Sequence, residues 1–177
     1  MFEEIFMNET IQTLLDRKSI RSFLDKKVSE SDLIEITNCA KAAPTARNRQ
    51  QRQFVVVRSK TKIQKLAKAI AKEIGNDSFT IYNCPVLIIV SVDEACEYGD
   101  LDSACAIENI YIACQALGLG SVWINQLRGI SYVPSIRKIL DSFQVPKNHV
   151  VWAMSAIGYP SEIPEPKERT EKVVFID

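Results

Sequence analysis

The 177-residue sequence contains one histidine, and that scarcity excludes more chemistry than any other feature. His149 alone cannot build an imidazole metal site, and the sequence pairs no serine or cysteine with it to make a nucleophile and its base. Its place at the mouth of an apolar run fits a structural role. The five cysteines, Cys39, Cys84, Cys96, Cys105 and Cys114, are odd in number and include no Cys-x-x-Cys pair, so neither a disulfide framework nor a zinc site is indicated. Cys96, Cys105 and Cys114 recur every nine residues, which on a helix is about two and a half turns and turns neighbours to opposite faces. They are expected to be buried free thiols. Glycine is scarce too, at six. Gly118-Leu119-Gly120 has Trp123 where a dinucleotide fingerprint needs its third glycine, and it follows a helical stretch where the fingerprint follows a strand. No GxxxxGK[ST] phosphate loop occurs. Charge of one sign is not in excess, with 22 basic and 22 acidic residues, which argues against a nucleic-acid partner. No apolar run nears the ~18 residues of a membrane span, since the longest, Val86 to Val92, is broken by Ser91. The acidic start Met1-Phe2-Glu3-Glu4 has no apolar stretch behind it and does not read as a signal peptide, so a cytoplasmic protein is expected.

What is present suits one domain. A chain of this length with 46% hydrophobic residues can bury a core without staples. Asn8 or Glu9 to Arg17 is expected to be a helix with Ile11, Leu14 and Leu15 on one face. Ser29 and Asp32 form a capping box for a helix carrying Leu33, Ile36, Ala40 and Ala43, which Pro44 stops. Gln53 to Arg58 and Val86 to Val92 read as strands buried on both faces. Between them Ser59 caps a helix with Ile63, Leu66, Ala67, Ile70 and Ile74 inside. Leu101 to Leu117 is apolar around nearly its whole circumference and must be covered on all sides, which one sheet cannot do. A second subunit is the natural cover, so a dimer is expected. Ser121 to Ile124 and His149 to Ile157 read as strands, Pro134 opens a short helix, and Lys172 to Asp177 is expected as a last strand.

Two basic clusters stand at opposite ends of this near-neutral chain: Arg17-Lys18-Ser19-Ile20-Arg21 and Lys167-Glu168-Arg169. Either alone suits a solvated surface. Together they match an anion such as a phosphate monoester, whose acceptor oxygens fit guanidinium forks. Between them, Pro44-Thr45-Ala46-Arg47-Asn48-Arg49-Gln50-Gln51-Arg52 offers amides whose donors and acceptors suit the edge of a flat heterocycle.

Five segments, Arg-Lys-Ser-Ile-Arg at 17–21, Ala-Ala-Pro-Thr-Ala-Arg-Asn-Arg-Gln at 42–50, Ala-Leu-Gly-Leu-Gly-Ser-Val-Trp-Ile at 116–124, Gly-Tyr-Pro at 158–160 and Lys-Glu-Arg at 167–169, resemble in order and spacing the FMN-dependent nitroreductase family. The resemblance implies an α+β fold, a mainly antiparallel central sheet flanked by helices, in an intertwined homodimer with FMN at the interface. It implies that Arg17, Ser19, Lys167 and Arg169 hold the FMN phosphate, that Lys18 lies along the ribityl chain, and that Arg21 approaches the N1/O2 edge of the ring. Pro44, Thr45, Ala46 and Asn48 would come from the other subunit. The turn after Ile124, at Asn125 and Gln126, would present backbone N–H groups to N5 and O4. NADH or NADPH would be co-substrate, delivering hydride to the flavin for a small electron-poor acceptor such as a nitroaromatic or quinone. No side-chain acid, base or metal is required. Many members read Asn-x-Gln-Pro-Trp in the loop where this chain has Asn48-Arg49-Gln50-Gln51-Arg52. Three other readings remain at this point: a member specialised for one metabolite such as an enone or halogenated aromatic, a flavin-binding redox sensor or FMN store without turnover, and a structural dimer without cofactor. Arg49 and Arg52 over the ring face would favour the sensor or store.

Overall fold

The structure, a computed structural model, describes residues 8–177. The acidic start at Met1 to Glu4 lies outside them. Four strands, β1 (Arg52–Val57), β2 (Val86–Asp93), β3 (Gly120–Ile124) and β4 (His149–Gly158), form one antiparallel sheet in the order β1-β2-β4-β3. Five helices surround it: α1 (Glu9–Asp16), α2 (Glu30–Ala42), α3 (Lys60–Glu73), α4 (Gly99–Ala116) and α5 (Pro134–Ser142). This is the α+β architecture the sequence implies.

The period of two along β2 sorts the core into layers. Leu87 and Ile89 face α3 and α5, packing with Leu66, Ile70, Ile136 and Leu140. Val86, Ile88 and Val90 face α2 and α4, packing with Leu33, Ile36, Ile107 and Ile110. A central strand covered on both faces reads as a near-continuous apolar run, as β2 does with Ser91 its one polar residue before Asp93. β1 does not follow suit: it is an edge strand, half-buried at every residue but Val57.

Helix ends follow their signals. Asn8 Oδ1 accepts from Thr10 N, and Ser29 Oγ accepts from Asp32 N at 3.0 Å. Pro44 follows the end of α2, and α5 opens on Pro134. Gly118 ends α4 at a φ of 68°, where Leu119 N–H donates to the Cys114 carbonyl and Gly118 N–H to that of Gln115.

Within the single chain, helix α4 leaves Leu101, Cys105, Glu108 and Ala116 as one exposed stripe at helical spacing. Other expectations are corrected. Helix α1 buries none of its residues, so Ile11, Leu14 and Leu15 lie open, and Ile74 is exposed at the end of α3. Residues 172–177 form no strand within the single chain. Of the cysteines, Cys84 and Cys114 are buried, but Cys39 and Cys105 are exposed and Cys96 is intermediate; all five are free. Burial pushes the Cys84 and Cys114 thiols up to about 12, which keeps them unreactive.

His149 does have a serine beside it, since Ser91 Oγ lies 3.1 Å from its Nδ1. Ser91 is fully buried within β2, so the pair holds two strands together and serves no substrate. Burial lowers the His149 pKa and nearby Arg137 adds to this, while Asp93 opposes it. A folded-state value below the unfolded value of about 6.5 stabilises the protein fully above that pH. That stability is lost as pH falls from about 6.5 through the folded value. Between about pH 7.5 and about pH 5.5, the melting temperature of the wild type is expected to fall further than that of H149N.

Candidate flavin site

The site is built where the chain's two ends meet. Segment 17–24 runs along the free edge of β3. Ser19 forms a parallel bridge with Ser121, and Ile20 N–H donates to the Ser121 carbonyl at 2.9 Å. The same segment then meets the chain leaving β4. Leu24 N–H donates to the Tyr159 carbonyl, Phe23 bridges Pro160, Ser161 N–H donates to the Ser22 carbonyl, and the two serine hydroxyls share a hydrogen bond. This stitching carries the proline-containing segment after Gly158 back across residues 17–21.

Gly120 permits the approach. A Cβ there would stand 2.6 Å from Ile20 Cβ and Cγ1, and 2.7 Å from Cγ2. Ile20 itself is buried and serves as the anchor of the basic segment.

The result is a cleft of about 240 Å³ lined by Arg17, Lys18, Ser19, Arg21, Pro164, Glu165, Lys167 and Arg169. Every phosphate and ribityl candidate from the sequence lies on it, with Arg21 beside them. Pro164 and Glu165 are additions; prolines at 160, 164 and 166 signalled an extended segment but not which residues would face inward. Five cations face one carboxylate. Among the described residues, only Arg17 of the five has a carboxylate within 4.0 Å, Glu108 at 3.5 Å. A dianion with three acceptor oxygens suits this lining, which offers guanidinium forks, ammonium groups and the Ser19 hydroxyl.

The other candidates lie elsewhere on the chain. Ile124, buried, ends β3, and Asn125 and Gln126 follow in a turn closed by Arg128 N–H donating to the Asn125 carbonyl at 2.9 Å. The parallel Ser19–Ser121 bridge sets Arg21 toward the Trp123 end of β3, so the turn lies beyond Arg21 along one strand direction. Gln126 Oε1 is buried with no hydrogen-bond partner among the described residues. A buried acceptor left open invites a ligand N–H.

Pro44, Thr45, Ala46 and Asn48 do not line the cleft of their own chain. They sit in a tight connection containing a 3₁₀ turn, Ala46–Asn48, with Arg47, Asn48 and Gln50 at φ of 55°, 53° and 55°. Three non-glycine residues in the left-handed region need anchors. Asp102 Oδ1, in buried α4, accepts from Ala46 N–H at 2.9 Å, and Thr45 Oγ1 accepts from Gln50 N–H at 3.1 Å. Arg52 supplies the rest. Its guanidinium donates to the carbonyls of Ala43 at 2.7 Å, Asp102 at 2.8 Å and Pro44 at 3.4 Å. Arg52 thus caps the open carbonyls at the end of α2, and its side chain is spent inside the loop. Arg49 is exposed. Replacing Arg52 with alanine is expected to cost about 2–3 kcal/mol, because two short charge-assisted bonds vanish and buried carbonyls lose their donor. The melting temperature should fall by about 4–10 °C, and R52K should recover little, lacking the planar fork.

Residues 14–159 match the nitroreductase family. A relative from Archaeoglobus fulgidus, provisionally named NADH dehydrogenase/NAD(P)H nitroreductase, is 31% identical over 160 residues, 88% of each chain. The protein belongs to the nitroreductase family. A nitroreductase from Bacteroides fragilis, crystallised with bound FMN, superposes with a TM-score of 0.88 at 32% identity, covering 97% of this chain and all of that one. An FMN reductase [NAD(P)H] from Bacillus subtilis is 25% identical over 185 residues, 92% of this nitroreductase-family chain and 70% of the relative. No helix among the described residues is long and apolar enough to cross a membrane.

Proposed function

We propose that this protein uses FMN, bound through the cleft at Arg17–Arg21 and Lys167–Arg169, to pass electrons from NAD(P)H to an electron-poor small molecule, a nitroaromatic or a quinone. That it is an FMN-dependent NAD(P)H oxidoreductase follows from its family and relatives. The acceptor, the individual flavin contacts and the assembly are our reading. The observation that carries it is the convergence of five cations from both chain ends on one cleft.

When bound, FMN supplies the two-electron chemistry, so the protein's task is binding, orientation and electrostatics. Arg17, Ser19, Lys167 and Arg169 hold the phosphate, and Lys18 lies beside the ribityl chain. Arg21, farther toward the Trp123 end, places a fixed cation near the N1/O2 edge, which favours the negative charge of the reduced state. Gln126 Oε1 and the backbone of Asn125 and Gln126 offer hydrogen bonds to the edge of the ring beyond Ile124. Arg52, occupied with the end of α2, is removed as one of the two arginines that could cover the ring face, which favours turnover over a sensor or store.

A cleft of about 240 Å³ is smaller than the ~300–1,000 Å³ usual for a ligand of this class. A second copy completes it in this reading, bringing Pro44, Thr45, Ala46 and Asn48. The uncovered apolar surface supports a homodimer: Leu14 and Leu15 of α1, Leu101 of α4, and Val173 to Ile176 of the tail, where Phe175 is 88% exposed. The tail, extended and unpaired, is read as adding to the partner's sheet. Five free cysteines suit a reducing compartment, and we read the protein as cytoplasmic.

The test of the acceptor is oxidation of NADH and NADPH by the FMN-loaded protein with a nitroaromatic or a quinone. Donor consumption that depends on the acceptor supports the reading. FMN binding without acceptor-dependent consumption would instead indicate a sensor, a store or a member reserved for a different metabolite.

A further inference from the structure

Tyr111 lies one helical turn from Glu108 on α4, on the side facing α1. It is 6% exposed, and its hydroxyl has no hydrogen-bond partner among the described residues. The Arg17 guanidinium sits over its ring, 5.2 Å from the centroid. Arg17 is otherwise tied to Glu108, whose side chain is half exposed. The Arg17 side chain thus has two attachments: a buried aromatic face that cannot move, and a solvated carboxylate that competes with any anion in the cleft. An attraction to a ring quadrupole leaves the guanidinium N–H groups in the ring plane's periphery available for acceptors, whereas a carboxylate consumes them.

We propose that Tyr111 is the positioning residue of the anion cleft, its ring being the seat that holds the Arg17 guanidinium where it can meet a bound phosphate while it stays beside Glu108. Burial dominates and raises the pKa of its hydroxyl, while the charges of Arg17 and Arg21 act in the opposite sense. The inference rests on the reading of the cleft as an anion site. The ring does the work: phenylalanine should serve, and leucine, of similar apolar character but without a π face, should not.

The experiment compares wild type, Y111F and Y111L, each also in the R17A background, by titration with FMN followed by flavin fluorescence and by thermal shift with inorganic phosphate. Melting temperatures without ligand control for folding. Y111F is expected to bind FMN and phosphate within about twofold of wild type, and Y111L about five- to tenfold more weakly. In the R17A background the two substitutions should become equivalent. An equal loss in Y111F and Y111L, or a Y111L loss that persists undiminished without Arg17, would overturn the proposal. If wild type binds phosphate but not FMN, the flavin reading fails while the phosphate series still judges Tyr111. If wild type binds neither anion, both readings fall together.

Discussion

Purified R17A/R169A is expected to lack the visible flavin absorption of the wild type. Each guanidinium contributes charge-assisted hydrogen bonds worth about 1.5–3 kcal/mol to a bound phosphate. Together they amount to at least about a hundredfold in FMN affinity, even if the two contributions do not add fully. The residues come from opposite ends of the chain and meet only in the cleft. Beyond the contact of Arg17 with the Tyr111 ring, neither belongs to a buried hydrogen-bond network among the described residues, and Arg17's carboxylate partner is half exposed. The melting temperature of the ligand-free double variant should therefore stay near that of ligand-free wild type. Affinity measured by fluorescence titration, with salt dependence, checks both parts. A flavin spectrum that survives the double substitution would place the phosphate elsewhere.

Gly120→Ala should damage both stability and the cleft. The new Cβ would overlap Ile20 Cβ and Cγ1 at 2.6 Å, with no flexible side-chain end to give way. Ile20 is buried, and the backbone on either side of it is fixed by the Ser19–Ser121 bridge and the Ile20-to-Ser121 hydrogen bond. Relief requires the 17–21 segment to lift from β3. Overpacking of this kind costs about 1–3 kcal/mol or more, a fall of roughly 3–12 °C in melting temperature for a chain of this size. The larger consequence is functional, since the lifted segment carries Arg17, Lys18, Ser19 and Arg21. FMN affinity should drop along with stability, whereas R52A should lower stability with a smaller loss of affinity. Circular dichroism melts and flavin titrations on the two variants separate these outcomes. G120A with unchanged flavin affinity would mean the segment binds without docking on β3.

The fold was legible in the sequence where one physical signal dominated. The near-continuous apolar run of β2 marked a strand covered on both faces, Ser29 and Ser59 marked helix starts, and Gly118 marked the end of α4. Composition misled for β1, whose Phe54-Val55-Val56-Val57 looks like a central strand. Edge or centre is set by long-range pairing that no local pattern encodes. In helix α4 the apolar circumference signalled heavy burial, and the single chain leaves Leu101 and Cys105 exposed. Ile11, Leu14 and Leu15, together with Val173 to Ile176, repeat the pattern: amphipathicity announces that a face needs covering, not which molecule covers it.

The site was legible as chemistry before it was legible as geometry. Two basic clusters suggested one anion, and the fold joins them through the edge of β3. The loop at 44–52 was harder, because the role of Arg52 depends on where its guanidinium points. It caps the end of α2 and ties the loop to α4. Tyr111 left no sequence signal at all, being one more apolar position of a buried helix until Arg17 is seen over its ring.

Binding of a flavin that a nicotinamide reduces is the property on which the proposed function rests. It is tested most directly by the visible absorption spectrum of the purified, FMN-loaded protein before and after anaerobic addition of NADH and NADPH. Flavin bands that bleach with at least one donor are the expected result. Failure of FMN to bind, or bands that persist unchanged with both donors, would contradict it.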